Sequence, residues 1–126
     1  MDSCVFCGPA RARAFLENEG ALALWDALPV TRHHALVIPK RHAVDYFDLT
    51  REDLLACDDL IRKVREKVLE LDPAVAGFNI GVNAGPAAGQ TVFHCHFHII
   101  PRRVGDTENP RGGVRRVLGR CSAEGV

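Results

Sequence analysis

The stretch Thr91-Val-Phe-His94-Cys-His96-Phe-His98-Ile-Ile100-Pro-Arg-Arg103 decides how this chain is read. Three of its six histidines fall at alternate positions, interleaved with Cys95 and Phe97 and followed by Ile99. Successive side chains of a β-strand point to opposite faces. The spacing therefore predicts a strand with His94, His96 and His98 on one face and Cys95, Phe97 and Ile99 in the core. Three imidazoles in a row are costly to bury without partners, so the triad points to chemistry rather than to packing alone.

Working outward, Gly77-Phe-Asn-Ile-Gly-Val-Asn83 alternates as a second strand, and the glycine-bearing loop Ala84–Gln90 joins the two as an antiparallel pair. Upstream, Thr50 with Asp53 three residues later resembles a capping box, with Glu52 and Asp53 suited to the positive end of a helix. Apolar residues then recur at Leu54, Cys57, Leu60, Ile61, Val64, Val68 and Leu71, until Asp72-Pro73 stops the helix. An exposed i,i+4 pair is expected between Arg62 and Glu66. The run His34–Ile38, closed by Pro39, reads as a central strand because it is apolar throughout. Ala14–Asn18 and Ala21–Asp26, turned at Glu19-Gly20, read as a hairpin.

The 126 residues suffice for one domain. It divides into an N-terminal knuckle over 1–10, a body, and an irregular Arg-rich tail over 104–126. Sixteen basic residues balance sixteen acidic ones, which removes any global electrostatic case for nucleic acid or a membrane surface. The charge is uneven locally, since residues 102–120 hold six arginines against Asp106 and Glu108. No apolar run approaches the roughly 18 residues of a membrane span, and the start carries no apolar signal core, so a cytoplasmic protein is expected. Five cysteines, an odd number, also fit a reducing compartment better than a disulfide framework.

A neutral imidazole is a good nucleophile toward phosphorus, and an ordinary pKa of about 6.5 keeps most of it neutral near pH 7. A central histidine needs one ring nitrogen aimed at the substrate and the other held by an acceptor. The next histidine on the same face, one strand repeat away at about 7 Å, is placed to bond phosphate oxygen or protonate a leaving group. Gly85 and Gly89 allow a close backbone approach to an anion, Gln90 and Asn83 add neutral donors, and Asp26 is a candidate acceptor for ribose hydroxyls. The rival chemistry is a metal held by the triad itself, since His-x-His on a strand is also a zinc arrangement. Cys4-x-x-Cys7 is half of a zinc site, and His42 and His94 are candidates for the other half.

Taken together, His94-Cys-His-Phe-His-Ile-Ile100 resembles the signature of the histidine triad superfamily of nucleotide hydrolases and transferases. Asp26-x-x-Pro29, His34-Ala-Leu-Val-Ile-Pro-Lys-x-His42, Asn83 and Gly89-Gln90 are similar to its other landmarks, in the same order. The resemblance covers roughly residues 4 to 103. It implies an α+β fold with a five-stranded antiparallel sheet, one long helix and a short helix, usually as a homodimer. It makes His96 the nucleophile on an α-phosphate. His98 and Gln90 assist it, while Asp26, His34, Asn83, Gly89 and Gln90 bind the nucleotide. It implies structural Zn2+ on Cys4, Cys7, His42 and His94. Ile100-Pro101-Arg102 resembles the fragile histidine triad and bacterial diadenosine tetraphosphate hydrolase-like branch, so dinucleoside polyphosphates are the expected substrates, with a phosphoramidase or a non-catalytic nucleotide-binding module as alternatives. Arg102, Arg111, Arg115 and Arg116 would suit a longer polyphosphate. Cys95, where a branched aliphatic residue is usual, and His33, where Gly or Thr is frequent, depart from the pattern.

Overall fold

Asn18 makes the turn of the first hairpin. Its Oδ1 accepts the amides of Gly20 and Ala21 at 3.0 and 2.8 Å, and its Nδ2 donates to the Ala56 carbonyl at 3.0 Å. Two strands leave this turn, β1 (Leu16–Glu17) and β2 (Ala21–Trp25), so the first strand is shorter than its apolar pattern suggested. This computed structural model describes residues 4–119; the first three residues of the expected knuckle and 120–126 of the expected tail lie outside it.

The strand β3 (Ala35–Pro39) is buried along its whole length and pairs with β2 from Ala21↔Pro39 to Trp25↔Ala35. Its other edge takes β5 (Phe97–Arg103), and β5 in turn takes β4 (Val75–Val82). The five strands are antiparallel in the order β1-β2-β3-β5-β4, so the most apolar run is the middle strand.

One face of the sheet is covered by α1 (Arg51–Leu71). The capping box forms: Thr50 Oγ1 accepts the Asp53 amide and Asp53 Oδ2 accepts the Thr50 amide, both at 3.0 Å. Asp72 is extended ahead of Pro73, as a residue before proline prefers, and the helix stops there. Cys57, Leu60, Val64 and Val68 form the buried stripe against Ala21, Ala23, Val37, Phe97 and Ile99, and burying each leucine or valine stabilises the fold by roughly 1.5–3 kcal/mol. Leu54 and Leu71, at the two ends of the expected stripe, remain partly exposed. The helix sits close, since a Cβ at Gly20 would fall 2.9 Å from Ala56 Cβ. Arg62 pairs with Asp58, at 3.1 Å, and not with Glu66 as expected; an acid four residues N-terminal to the base is the better-oriented helix pair.

The opposite face carries Leu22, Leu24, Leu36 and Ile38, which pack under Phe6 and Ala10 of the N-terminal segment. Two elements correct the sequence reading. The expected short helix is replaced by 3-10 turns (Pro9–Arg13, Tyr46–Asp48, Pro86–Ala88 and Gly113–Leu118), too short or too proline-bound for α-helical bonding. The triad strand begins only at Phe97, because Cys95 donates its amide to the Ala43 carbonyl at 2.7 Å and holds residues 94–96 off the ladder.

Candidate functional site

The lead-in to β5 separates the three imidazoles while keeping Cys95, Phe97 and Ile99 on the helix side. His94 is fully buried and turns toward the N-terminal segment. Its Nε2 meets the Pro39 carbonyl at 2.8 Å; a carbonyl only accepts, so Nε2 carries the proton and Nδ1 is a bare lone pair. That Nδ1 lies 3.4 Å from Cys4 Sγ, 3.5 Å from Cys7 Sγ and 3.2 Å from His42 Nδ1, and Cys7 Sγ lies 3.2 Å from His42 Nδ1. All four ligand atoms fall within 4.8 Å of one another. Tetrahedral zinc with bonds of about 2.1 Å to nitrogen and 2.3 Å to sulfur has edges near 3.5 Å, so the donor set fits that ion in identity and size. Burial, then the neighbouring Cys4 thiol, pushes the Cys7 thiol up, and burial lowers His94; a divalent cation between them relieves both.

His96 is fixed differently. Its Nδ1 donates to the main-chain oxygen of His94 at 2.8 Å, which leaves Nε2 unprotonated. Phe6 packs edge-on to both rings, with centroids 5.9 Å from His94 and 5.2 Å from His96.

His98 stands one repeat further on, its ring centroid 5.2 Å from that of His96. Behind it lies His34, whose Nδ1 accepts the Val30 amide at 3.1 Å. An amide only donates, so His34 Nε2 holds the proton and shares it between His98 Nδ1 at 3.0 Å and Asp26 Oδ2 at 3.3 Å. His98 Nδ1 is therefore an acceptor, and its Nε2–H is left for a ligand. Burial, reinforced by His96 and His34, lowers His98 to about 4, with Asp26 opposing, so the ring is neutral near pH 7.

Asp26, His34 and His98 are grouped tightly enough to suggest a second metal site. The Val30 bond argues against it, since ligation through His34 Nε2 would strip the proton that this bond leaves there. A single metal on all three triad histidines is also not what forms: His94 Nδ1 faces the cysteines and His96 Nδ1 faces a carbonyl.

Several expected ligand contacts become positioning ones. His34 is only 3% exposed, and both its nitrogens are engaged, Nδ1 by the Val30 amide and Nε2 by His98. Gln90 is buried; its Oε1 accepts the Gly85 amide at 2.8 Å, and its Nε2 donates to the Val44 and Val92 carbonyls at 2.7 and 3.1 Å. With both amide protons engaged, Gln90 staples the loop and is no free phosphate donor. The loop amides close on the loop itself, Ala88 and Gln90 on the Gly85 carbonyl and Gly89 on that of Pro86, so they form no anion cradle. Gly85 and Gly89 adopt φ of +97°, the left-handed geometry that glycine supplies. Asp26 gives Oδ1 to the Leu28 amide at 2.9 Å, with lone pairs remaining for a ribose hydroxyl. Arg102 is engaged bidentately by Asp106, at 2.8 Å for each bond, which holds that carboxyl at about 2. Asn83 lines a cavity of about 460 Å³ beside His98.

Sequence reasoning called for an acceptor behind the central histidine, such as a neighbouring main-chain carbonyl, and His94 O is that atom; it missed Pro39 O and Val30 N, which belong to the main chain and carry no residue-type signal. His33, whose φ is +68° and whose Nδ1 is the one buried side-chain polar atom without a partner among the described residues, sits against Trp25 and has no part in this geometry.

The HIT domain family matches residues 8–105. The chain belongs to the HIT family. It is 43% identical to an uncharacterised 16.1 kDa HIT-like protein of Mycoplasma pneumoniae, over 80% of this chain and 72% of that one. It is 36% identical to the adenosine 5'-monophosphoramidase hnt1 of Schizosaccharomyces pombe, over 79% and 74%. A Zn-bound histidine triad family protein from Mycobacterium smegmatis superposes with a TM-score of 0.75 at 40% identity, covering 85% of this chain and 80% of that one. HIT proteins are nucleotide hydrolases and transferases, and this chain is an enzyme of that type. Among the described residues no helix is long and apolar enough to cross a membrane.

Proposed function

We propose that the protein cleaves dinucleoside polyphosphates at an α-phosphate through a covalent nucleotidyl intermediate on His96. The observation that carries this reading is the opposite protonation of two adjacent imidazoles, a bare Nε2 on His96 beside an Nε2–H on His98. His96 Nε2 attacks phosphorus, the bond from phosphorus to the leaving-group oxygen breaks, and the His98 Nε2–H hydrogen-bonds that oxygen as the polyphosphate departs as its anion. Water then attacks the nucleotidyl-histidine. The phosphorus–nitrogen bond breaks, returning the electron pair to His96 Nε2, the proton of the water passes to solvent, and a mononucleotide leaves. The free lone pairs of Asp26 suit a ribose hydroxyl. Zinc on Cys4, Cys7, His42 and His94 would supply structural ligation alone, tying the N-terminal turn to the sheet.

A product-resolved assay of wild type and His96→Ala on diadenosine tetraphosphate tests the reading. Wild type should release AMP with a trappable nucleotidyl-enzyme, and the variant should lose at least about a thousandfold in turnover. Equal turnover in both, with no trapped adduct, would sink it. The second reading, hydrolysis of an adenosine phosphoramidate, is favoured by the 36% identity to the Schizosaccharomyces pombe enzyme. Both substrates, run in parallel, separate the two. The protein acts in a cytoplasmic setting as a homodimer: β4 is an edge strand that carries the half-exposed Ile80, and light scattering on the purified protein decides the oligomeric state.

A further inference from the structure

The cavity beside His98 lies on the sheet face opposite α1. Its floor is made by side chains that share that face, Asn79 and Asn83 of β4 and its end, and His98 and Ile100 of β5. Gly81 pairs with His98 across the ladder, and a Cβ added there would meet nothing within 4 Å, so the space opens directly against the imidazole. At about 460 Å³ it falls within the range of small-molecule sites and exceeds what one phosphate needs.

The outer wall comes from the tail. Gly112 and Gly113 take φ of +89° and +46°, and a Cβ at Gly113 would lie 3.5 Å from Asn79 Nδ2. This brings the 3-10 turn Gly113–Leu118 over the floor, with Val114, Arg116 and Val117 lining the cavity. Polarity inside is one-sided. Arg102 Nη1 donates to Asn79 Oδ1 at 2.7 Å, which turns the Asn79 Nδ2 protons the other way. Among the described residues no carboxylate lines the cavity. Arg102 and Arg103 are neutralised by Asp106 and Asp72, whereas Arg116, among the described residues, reaches only the Asn109 carbonyl, at 3.5 Å.

We propose that this cavity is the leaving-group subsite and that Arg116 is the residue selecting leaving groups that carry phosphate. The inference rests on the nucleotidyl-transfer reading above. Leaving-group oxygen departs beside His98, and the chain attached to it must run into the adjoining space. Amide donors, an arginine and apolar walls match a nucleoside polyphosphate there. A small amine leaving group leaves the cavity empty and gains nothing from Arg116.

The test compares wild type, Arg116→Ala and Arg116→Lys on diadenosine tetraphosphate and on adenosine phosphoramidate. Arg116→Ala should lower kcat/KM for the tetraphosphate about tenfold and leave the phosphoramidate within about twofold, with partial recovery in Arg116→Lys. The defect should shrink in high salt, since Arg116 is exposed. An equal effect on both substrates, or none on either, overturns the proposal. A second arm needs no turnover: in the His96→Ala background, calorimetry should show Arg116→Ala reducing affinity for ATP about tenfold while AMP binding is unchanged. Failure of wild type on both substrates would end the catalytic reading, while an unchanged preference for ATP over AMP would end the assignment of Arg116.

Discussion

The main-chain oxygen of His94 accepts the Nδ1–H of His96 at 2.8 Å, while His94 aims its own Nδ1 at the Cys4 and Cys7 thiols. The candidate metal site and the orientation of the proposed nucleophile thus meet in one residue. Replacing both thiols, Cys4→Ser/Cys7→Ser, should abolish zinc binding in metal analysis. It should also lower kcat by about 10–100-fold with little change in KM. Nitrogen-15 NMR should show the His96 Nδ1–H tautomer giving way to a mixture. A zinc-free variant that keeps wild-type kcat would break the link.

His34 Nε2 bonds His98 Nδ1 at 3.0 Å, so its loss should be felt in kcat. His34→Ala frees His98 Nδ1 to adopt either tautomer, and a fall in kcat of about a hundredfold is expected, with KM nearly constant. Glutamine, whose amide can donate from nearly the same place, should recover part of it. A fall confined to KM would place His34 in substrate binding.

Stability should weaken in mild acid. His98 lies near 4 and His34 is lowered by burial, against an ordinary imidazole value of about 6.5. The unfolded chain therefore takes up protons first as pH falls. The contribution of these neutral, buried rings is complete above about pH 6.5 and is lost as pH falls toward 4. Denaturant titrations should show a loss on the order of 2 kcal/mol from His98 across that window. The slope should flatten in His98→Asn, measured in a chelator to remove the zinc dependence.

Thr50 caps α1 through a reciprocal pair of bonds with Asp53, and Asp53 also holds Arg41 at 2.7 Å, next to His42. Thr50→Ala should cost about 1 kcal/mol, or roughly 4 °C in Tm, and Thr50→Ser only a few tenths. Thermal melts in matched buffer check both.

The elements legible in the sequence were those written in side-chain periodicity. The buried run Ala35–Pro39, the stripe Cys57–Val68 and the Thr50–Asp53 box each declare their surroundings through residue type. Cys4-x-x-Cys7 gave half a metal site, and the resemblance pointed to the His42 and His94 that the structure brings to it. What stayed hidden depends on main-chain atoms and distant partners. Nothing in Cys95 announces that its amide bonds Ala43, which delays β5 to Phe97. Gln90 looks like a donor for a ligand until the Val44 and Val92 carbonyls are seen to engage it. The tail has no hydrophobic period, yet Gly112 and Gly113 bend it into a wall of the cavity.

The wide spacing of the metal ligands bears on how the chain folds. His42 is 35 residues from Cys7, and His94 is 52 residues further on. The four donors converge only after β3 has delivered Pro39 and the residues before β5 have been drawn against Ala43. Contacts so distant in sequence close late, because the loops between them must be ordered first. Zinc should therefore act after the rate-limiting step. In stopped-flow chevrons, removing it should steepen escape from the native state and leave the refolding limb where it was. An ion there would be a latch on a finished fold, setting the lifetime of the native state more than the speed of reaching it.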